Sequence, residues 1–194
     1  MALRILGGRW KGRLLHTPPD AITRPTQSLV RAALFNICQT DIEGARVLDL
    51  FAGSGAIGLE ALSRGATSSL FVEVHPKAAR VIRQNLEQFA IGKEAFVLEM
   101  DVLRACRWLL SRSYRFDLIY MDAPYHKSHL TRELLREVSA LLAHSGKLFV
   151  EEQKGETEAL IAADVPLIYV KSRTFGGSML HQFIPGDLPD VPST

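Results

Sequence analysis

The chain has 194 residues, two cysteines, 23 Lys and Arg against 21 Asp and Glu, and a net charge of +2. That length buries roughly 70% of the unfolded surface, so one domain needs neither a disulfide nor a metal to hold it. No apolar run reaches 18 residues and "MALRILGGRWKGR" lacks a long apolar segment, which excludes a membrane span and points away from a signal peptide. Cys38 and Cys106 lie within helix-like patterns and read as core thiols of a cytoplasmic protein.

The charge is uneven. Residues 1–31 carry six cations against Asp20, a net of +5, leaving 17 cations and 20 acids in the remainder. Such a segment suits an anionic partner or is a solvated basic arm. Within it, "RILGGRWKGRLLHTP" (3–17) predicts a hairpin of short strands turned by glycines. "QSLVRAALFNICQ" (27–39) predicts a helix burying Leu29, Ala33, Leu34 and Ile37.

Strands and helices then alternate. "RVLDLF", "SSLFVEV", "AFVLEM", "FDLIYMD" and "KLFVEE" read as strands, separated by helical segments that open at Ala56, Pro76, Val102 and Ser128. "ETEALIAAD" (156–164) predicts a short helix, and "LIYVKSRTFGGSMLHQFI" two strands joined near Gly176-Gly177. This rhythm predicts a doubly wound α/β sheet with five parallel strands and an antiparallel final hairpin. Its ligand site lies beyond the carboxyl ends of the strands. Asp49, Glu73, Asp101 and Asp122 fall on that rim.

The first strand runs into "LDLFAGSGAIG". Gly53, Gly55 and Gly58 form G-x-G-x-x-G, and Glu73 follows Gly53 by 20 positions, the pattern of a dinucleotide loop. A Walker loop is excluded by the lack of a Lys-Ser or Lys-Thr at the required place, and a nucleophile elbow by Ala52 and Ala56. Asp49 separates NAD from S-adenosylmethionine. A carboxylate ~4 Å from a pyrophosphate costs about 4 kcal/mol at an effective dielectric near 20, whereas beside an ammonium and a sulfonium it is favourable. Glu73 suits the ribose hydroxyls and Asp101 the adenine amine.

A second motif, "YMDAPYHK", closes the fourth strand. An exocyclic nucleobase amine has its lone pair delocalised into the ring, so methylating it requires acceptors on its N–H groups and a flat surface for the base. Asp122 and the Ala123 carbonyl are such acceptors, and Tyr125 is such a surface. His126 and His129 have zinc-like spacing without a third ligand nearby, and read as a polar loop. Trp108, Tyr114 and Phe116 read as packing residues.

With both motifs in place, the sequence resembles class I S-adenosylmethionine-dependent methyltransferases with a (D/N)-P-P-(F/Y) motif. More narrowly it resembles the bacterial enzymes that methylate guanine N2 in 16S ribosomal RNA. The likeness rests on "RILGGRWKGRLL", "RPTQSLVRAALFN", "LDLFAGSGAIGLEALSRGA" and "DAPY". It implies a Rossmann-like, seven-stranded, mostly parallel sheet with an antiparallel last strand and an N-terminal β-hairpin extension. The implied boundaries are 1–23 for the hairpin, 24–186 for the methyltransferase domain and 187–194 for a flexible tail. It also implies S-adenosylmethionine at Asp49, Gly53, Gly55, Glu73 and Asp101, with Arg24 and Thr26 nearby, and catalysis at Asp122, Ala123, Pro124 and Tyr125. Ala123 departs from the motif: its carbonyl survives, but a proline's preorganisation is lost.

Arg4, Arg9, Lys11 and Arg13 around Trp10 are the expected grip on small-subunit RNA or the 30S particle, by a monomer. Three rival readings remain: an adenine-N6 or other amino methyltransferase acting on DNA or another RNA, a small-molecule methyltransferase, and a non-catalytic RNA-binding module.

Overall fold

The computed structural model describes residues 2–18, 25–123, 128–154 and 165–186. The expected helix 156–164, the tail 187–194, and Arg24, Pro124, Tyr125 and His126 lie outside them. After a 3-10 turn at Gly8–Trp10 come α1 (Pro25–Ile37), β1 (Arg46–Leu50), α2 (Ala56–Ser63), β2 (Ser68–Val72), α3 (Pro76–Gln88) and β3 (Ala95–Leu98). They are followed by α4 (Val102–Leu110), β4 (Phe116–Asp122), α5 (Ser128–Ser139), β5 (Leu142–Gln153), β6 (Leu167–Phe175) and β7 (Ser178–Pro185).

One seven-stranded sheet has the order β3-β2-β1-β4-β5-β7-β6. The first five strands are mutually parallel, and β7 runs antiparallel to both β5 and β6. Strand order reverses between β1 and β4, where doubly wound sheets open their ligand crevice. Both strands are apolar along most of their length because helices cover both faces. Val47, Leu118, Tyr120 and Phe149 pack on one face with Val30, Leu34 and Phe35 of α1. Leu48, Ile119, Met121 and Val150 pack on the other with Cys106, Leu109, Leu134 and Val138. Cys38 and Cys106 are buried free thiols, and burial pushes each up to about 12.

Local chemistry sets the helix ends. Pro76 opens α3, where its missing N–H costs nothing. Asp101 caps α4 by accepting from the Leu103 and Arg104 amides. The buried face of α1 differs from expectation: Val30, Leu34, Phe35 and Cys38 point inward, and Leu29 is 59% exposed. The apolar pattern fits two faces a third of a turn apart, and the sheet selects the one carrying Phe35.

The N-terminal hairpin is present, in a shorter form than the sequence suggests. It has one antiparallel bridge, Arg4 to Leu14, around the 3-10 turn rather than two strands. Backbone bonds cross it from Ile5 N–H to the Arg13 carbonyl, Gly12 N–H to the Ile5 carbonyl and Leu15 N–H to the Leu3 carbonyl, and α2 takes further main-chain groups. The Leu6 and Gly7 amides each donate to the Glu60 carboxylate at 2.7 Å. Ser63 Oγ donates to the Gly7 carbonyl at 2.6 Å and accepts from the Trp10 amide at 3.0 Å. Gly8 (φ 75°) lies against the Ser63 carbonyl, leaving no room for a side chain.

Gly58, the third glycine of the loop motif, sits where α2 crosses β2. A Cβ there would overlap the Phe71 ring and Ser69 Oγ. Gly58→Ala should therefore destabilise the fold by about 1–3 kcal/mol, the usual cost of overpacking. Urea unfolding checks this, and a midpoint equal to the parent's would refute the packing role.

Candidate active site

Each of the five parallel strands delivers a carboxylate to the rim of the sheet. In spatial order these are Asp101 after β3, Glu73 after β2, Asp49 in β1, Asp122 ending β4 and Glu151 in β5. Four were expected from the sequence; Glu151 was not counted. It pairs in register with Asp122, and Asp49 pairs with Tyr120. Asp49, Tyr120, Asp122 and Glu151 line one cavity of about 250 Å³, together with Phe51, Gly53 and Arg31. Leu3, Thr17 and Pro18 also line it, so the basic segment reaches the cavity wall.

The loop after β1 turns sharply, with Phe51, Gly53 and Gly55 all at positive φ. A Cβ added at Gly53 meets nothing within 4 Å, so the glycine opens the cavity floor. At Gly55 the same atom would lie 3.2 Å from Phe71 and 3.3 Å from Ile82. The two glycines thus do different work: Gly53 leaves space for a ligand, and Gly55 permits the turn against the core.

Glu73 is tied to this loop. It accepts from the Gly53 amide and from the His75 amide, both at 2.8 Å. Asp49 is buried and accepts from the Gly58 amide at 3.1 Å. Desolvation, then the neighbouring Asp122 and Glu73 carboxylates, raise its carboxyl well above the usual range; the Gly58 bond only partly offsets this. Asp101 is exposed, and its Oδ1 serves the α4 cap. Neither Glu73 nor Asp101 lines the 250 Å³ cavity; they extend the rim beyond it towards β3.

Besides Glu151, three residues went unseen in the sequence. Tyr120 is buried and donates its hydroxyl to Glu151 Oε2. Arg31 is buried on the cavity wall; its Nη2 donates to the Arg4 carbonyl at 2.6 Å, while Nε and Nη1 have no hydrogen-bond partner among the described residues. Burial lowers its pKa, partly opposed by Glu60. Glu60 fastens the basic arm to α2. Each looked like an ordinary helix or strand residue, and only the pairing of distant segments gives it a role.

The arm residues are placed as follows. Arg4, Arg9, Lys11 and Arg13 are exposed. Arg4 donates to the Gly12 carbonyl at 2.8 Å. Arg9 stacks 3.9 Å over the Trp10 ring and Arg13 4.9 Å over Phe89. Trp10 itself packs on Phe89 with ring centroids 4.8 Å apart, joining a cluster with Leu59, Phe71 and Ile82. It anchors the arm to the core. Thr26 lies in the first turn of α1, and Ala123 is buried immediately after Asp122. Trp108, Tyr114 and Phe116 stack in series at 6.0 and 6.2 Å. Among the described residues no cluster of His, Cys, Asp and Glu could hold a metal ion, and no helix is long and apolar enough to cross a membrane.

The raised Asp49 carboxyl has a consequence for stability. The folded state favours the protonated form, so stability falls as pH rises above the unfolded value near 4 towards the raised folded value, and stays lowered beyond it. Asp49→Asn removes that cost and keeps an acceptor for Gly58. The variant should melt higher than the parent at pH 8 by at least about 2 °C, with the gap closing near pH 4. Thermal melts across that range check this, and a variant melting lower at pH 8 would contradict it.

Comparison with known proteins agrees with this architecture. Residues 3–184 match the family model described as Conserved hypothetical protein 95. A putative rRNA methyltransferase, YlbH of Bacillus subtilis, is 33% identical over 175 residues, 90% of this chain and 94% of that one. The ribosomal RNA small subunit methyltransferase D of Escherichia coli K12 is 34% identical over 191 residues, 98% of this chain and 80% of that one. Among solved structures, the putative methyltransferase yhhF from Escherichia coli superposes with a TM-score of 0.81 at 26% identity, covering 97% of this chain and 100% of that one. A hypothetical protein of Thermus thermophilus gives 0.76 at 30% identity, covering 94% and 99%. With the glycine loop at the β1–β4 reversal and β7 inserted antiparallel beside β5, the chain belongs to the Conserved hypothetical protein 95 family and has the class I methyltransferase fold.

Proposed function

We propose that the protein transfers a methyl group from S-adenosylmethionine to the N2 amine of a guanine in small-subunit ribosomal RNA, acting as a monomer on an assembled or assembling 30S particle. The observation that carries this reading is the cavity shared by Asp49, Gly53 and Asp122. It joins a phosphate-free glycine loop to an amine-binding carboxylate. The relatives named for rRNA methylation supply the substrate class.

The residues fit the cofactor. Gly53 leaves an open floor, and Asp49 is a buried carboxylate beside two others, a setting that a cation relieves and a pyrophosphate worsens. Asp49, Gly53, Gly55, Glu73 and Asp101 would hold the cofactor, together with Arg24 and Thr26. When bound, S-adenosylmethionine supplies a methyl group made electrophilic by its sulfonium. The protein's task is then positioning and electrostatics. Asp122 and the Ala123 carbonyl accept the two N–H groups of the target amine, which frees its lone pair from the ring. Pro124 and Tyr125 would complete the motif, with Tyr125 as the stacking face for a base held out of its helix. Asp122 also accepts the proton the amine gives up.

Transfer of a labelled methyl to 30S particles, 16S RNA and DNA tests the reading: particles should be labelled and DNA should not. Asp122→Ala should lower transfer at least ~100-fold, as loss of a transition-state hydrogen-bonding group does, with cofactor Kd held within about threefold. Near-full activity with cofactor bound would refute the role of Asp122, and labelling of DNA alone would refute the substrate.

The arm has a separate signature. Replacing Arg9, Lys11 and Arg13 by Gln should reduce the slope of log Kd for RNA against log salt by about 2–3, at roughly 0.7–0.9 per phosphate contact. Cofactor affinity should not change. A parallel loss of cofactor binding would mean that these side chains support folding instead.

A further inference from the structure

Glu151 has no place in the reaction as derived so far. It is nonetheless 3% exposed, lines the cavity, and sits beside Asp122 in the register of adjacent strands. Paired residues on neighbouring strands lie about 5 Å apart and point to the same face. Two carboxylates therefore stand next to each other at the proposed amine site. A ligand with two adjacent donors suits such a pair.

Tyr120 fixes how Glu151 presents itself. Its hydroxyl donates to Glu151 Oε2 from a fully buried position. Burial first, then Asp122 and Glu151, holds the phenol well above its ordinary pKa, so it keeps the proton and serves as a donor. Glu151 is thereby held as an acceptor. Its Oε1 receives no hydrogen bond from any described residue.

Guanine carries two adjacent donors, N1–H and N2–H₂, on its Watson–Crick edge. Adenine and cytosine each place a lone pair beside their exocyclic amine. Resting on the proposed guanine-N2 reading, we propose that Glu151, oriented by Tyr120, is the residue that selects guanine, accepting N1–H while Asp122 accepts N2–H. A base with a lone pair at N1 would meet the Glu151 carboxylate oxygen, and both acceptors would be buried without a donor. Selection then comes from a polar mismatch rather than from pocket size, and mismatches of this kind discriminate strongly.

2-Aminopurine tests the N1 contact, and the Glu151 and Tyr120 variants separate that contact from the loss of O6, which the analogue also lacks. It keeps the N2 amine that receives the methyl but has a lone pair at N1 in place of the N–H. The experiment uses 30S particles reconstituted with 16S RNA carrying either guanine or 2-aminopurine at the methylated nucleotide, mapped beforehand by mass spectrometry. The full-length wild-type protein should methylate 2-aminopurine at least ~100-fold less efficiently in kcat/KM, in line with rejection by a hydrogen-bonding site. Glu151→Gln can turn an amide N–H towards N1. It should lose activity on guanine and narrow the guanine to 2-aminopurine ratio at least ~10-fold. Tyr120→Phe should narrow the ratio by a smaller factor while guanine is still methylated.

Equal losses on both bases in Glu151→Gln, with the ratio unchanged, would overturn the assignment by reducing Glu151 to a structural role. Comparable wild-type activity on the two bases would overturn it without any variant. A wild-type protein that transfers no methyl to guanine-bearing particles would overturn the functional reading itself, and this assignment with it.

Discussion

The constraint on which the structure turns is the crowding of carboxylates at one end of the sheet. Five adjacent parallel strands each bring one, and strand register sets two of them, Asp122 and Glu151, about 5 Å apart. Arg31 shares the cavity wall, but the described partners of four of these carboxylates are neutral donors. Glu73 is satisfied by two backbone amides, Asp101 by the start of α4, Asp49 by one amide of α2 and Glu151 by a phenol. Neutral donors satisfy the lone pairs without cancelling the charge. A positively charged ligand would relieve the crowding that these donors leave in place.

This economy accounts for the separate duties of the loop glycines. A backbone amide can serve a carboxylate only if the chain approaches closely, and a positive φ at Gly53 and Gly55 provides that approach. The same turn starts α2, whose first-turn amide at Gly58 reaches back to Asp49. Gly58 in turn lets the helix lie on β2 at a distance no side chain allows. A single short segment thus sets the cavity floor, one carboxylate's partner and the helix–sheet spacing.

Much of this was legible in the sequence, for a physical reason. Strands buried on both sides and helices buried on one have different apolar periods, so "FDLIYMD" and "PKAARVIRQNLEQFA" declare themselves without a partner. Asp49 and Asp122 stood out because an acid ending an apolar strand has a desolvation cost that demands a reason. What stayed hidden depends on pairing between distant segments. Glu151 ends a strand as plainly as Asp122 does, but its significance appears only when β5 is placed in register beside β4. Arg31 counted only as one cation of the basic segment and Glu60 carried no signal of its own, because their partners lie in the arm. The hairpin pairs with itself as its strand-like residues suggest, but its attachment to α2 through the Leu6, Gly7 and Trp10 amides was not visible in its own sequence.

The way the arm is fastened also bears on how it can change. Glu60 and Ser63 hold it through main-chain amides and a main-chain carbonyl, so the attachment is indifferent to most of the side chains displayed outside it. Arg9, Lys11 and Arg13 project from a backbone secured by other atoms. Their number and sign can be varied without undocking the segment, provided Gly8 and the Trp10 anchor remain. Anchorage and surface charge are thereby separate inheritable traits. A lineage can retune its grip on a polyanion one substitution at a time while the wall of the cavity stays where it is.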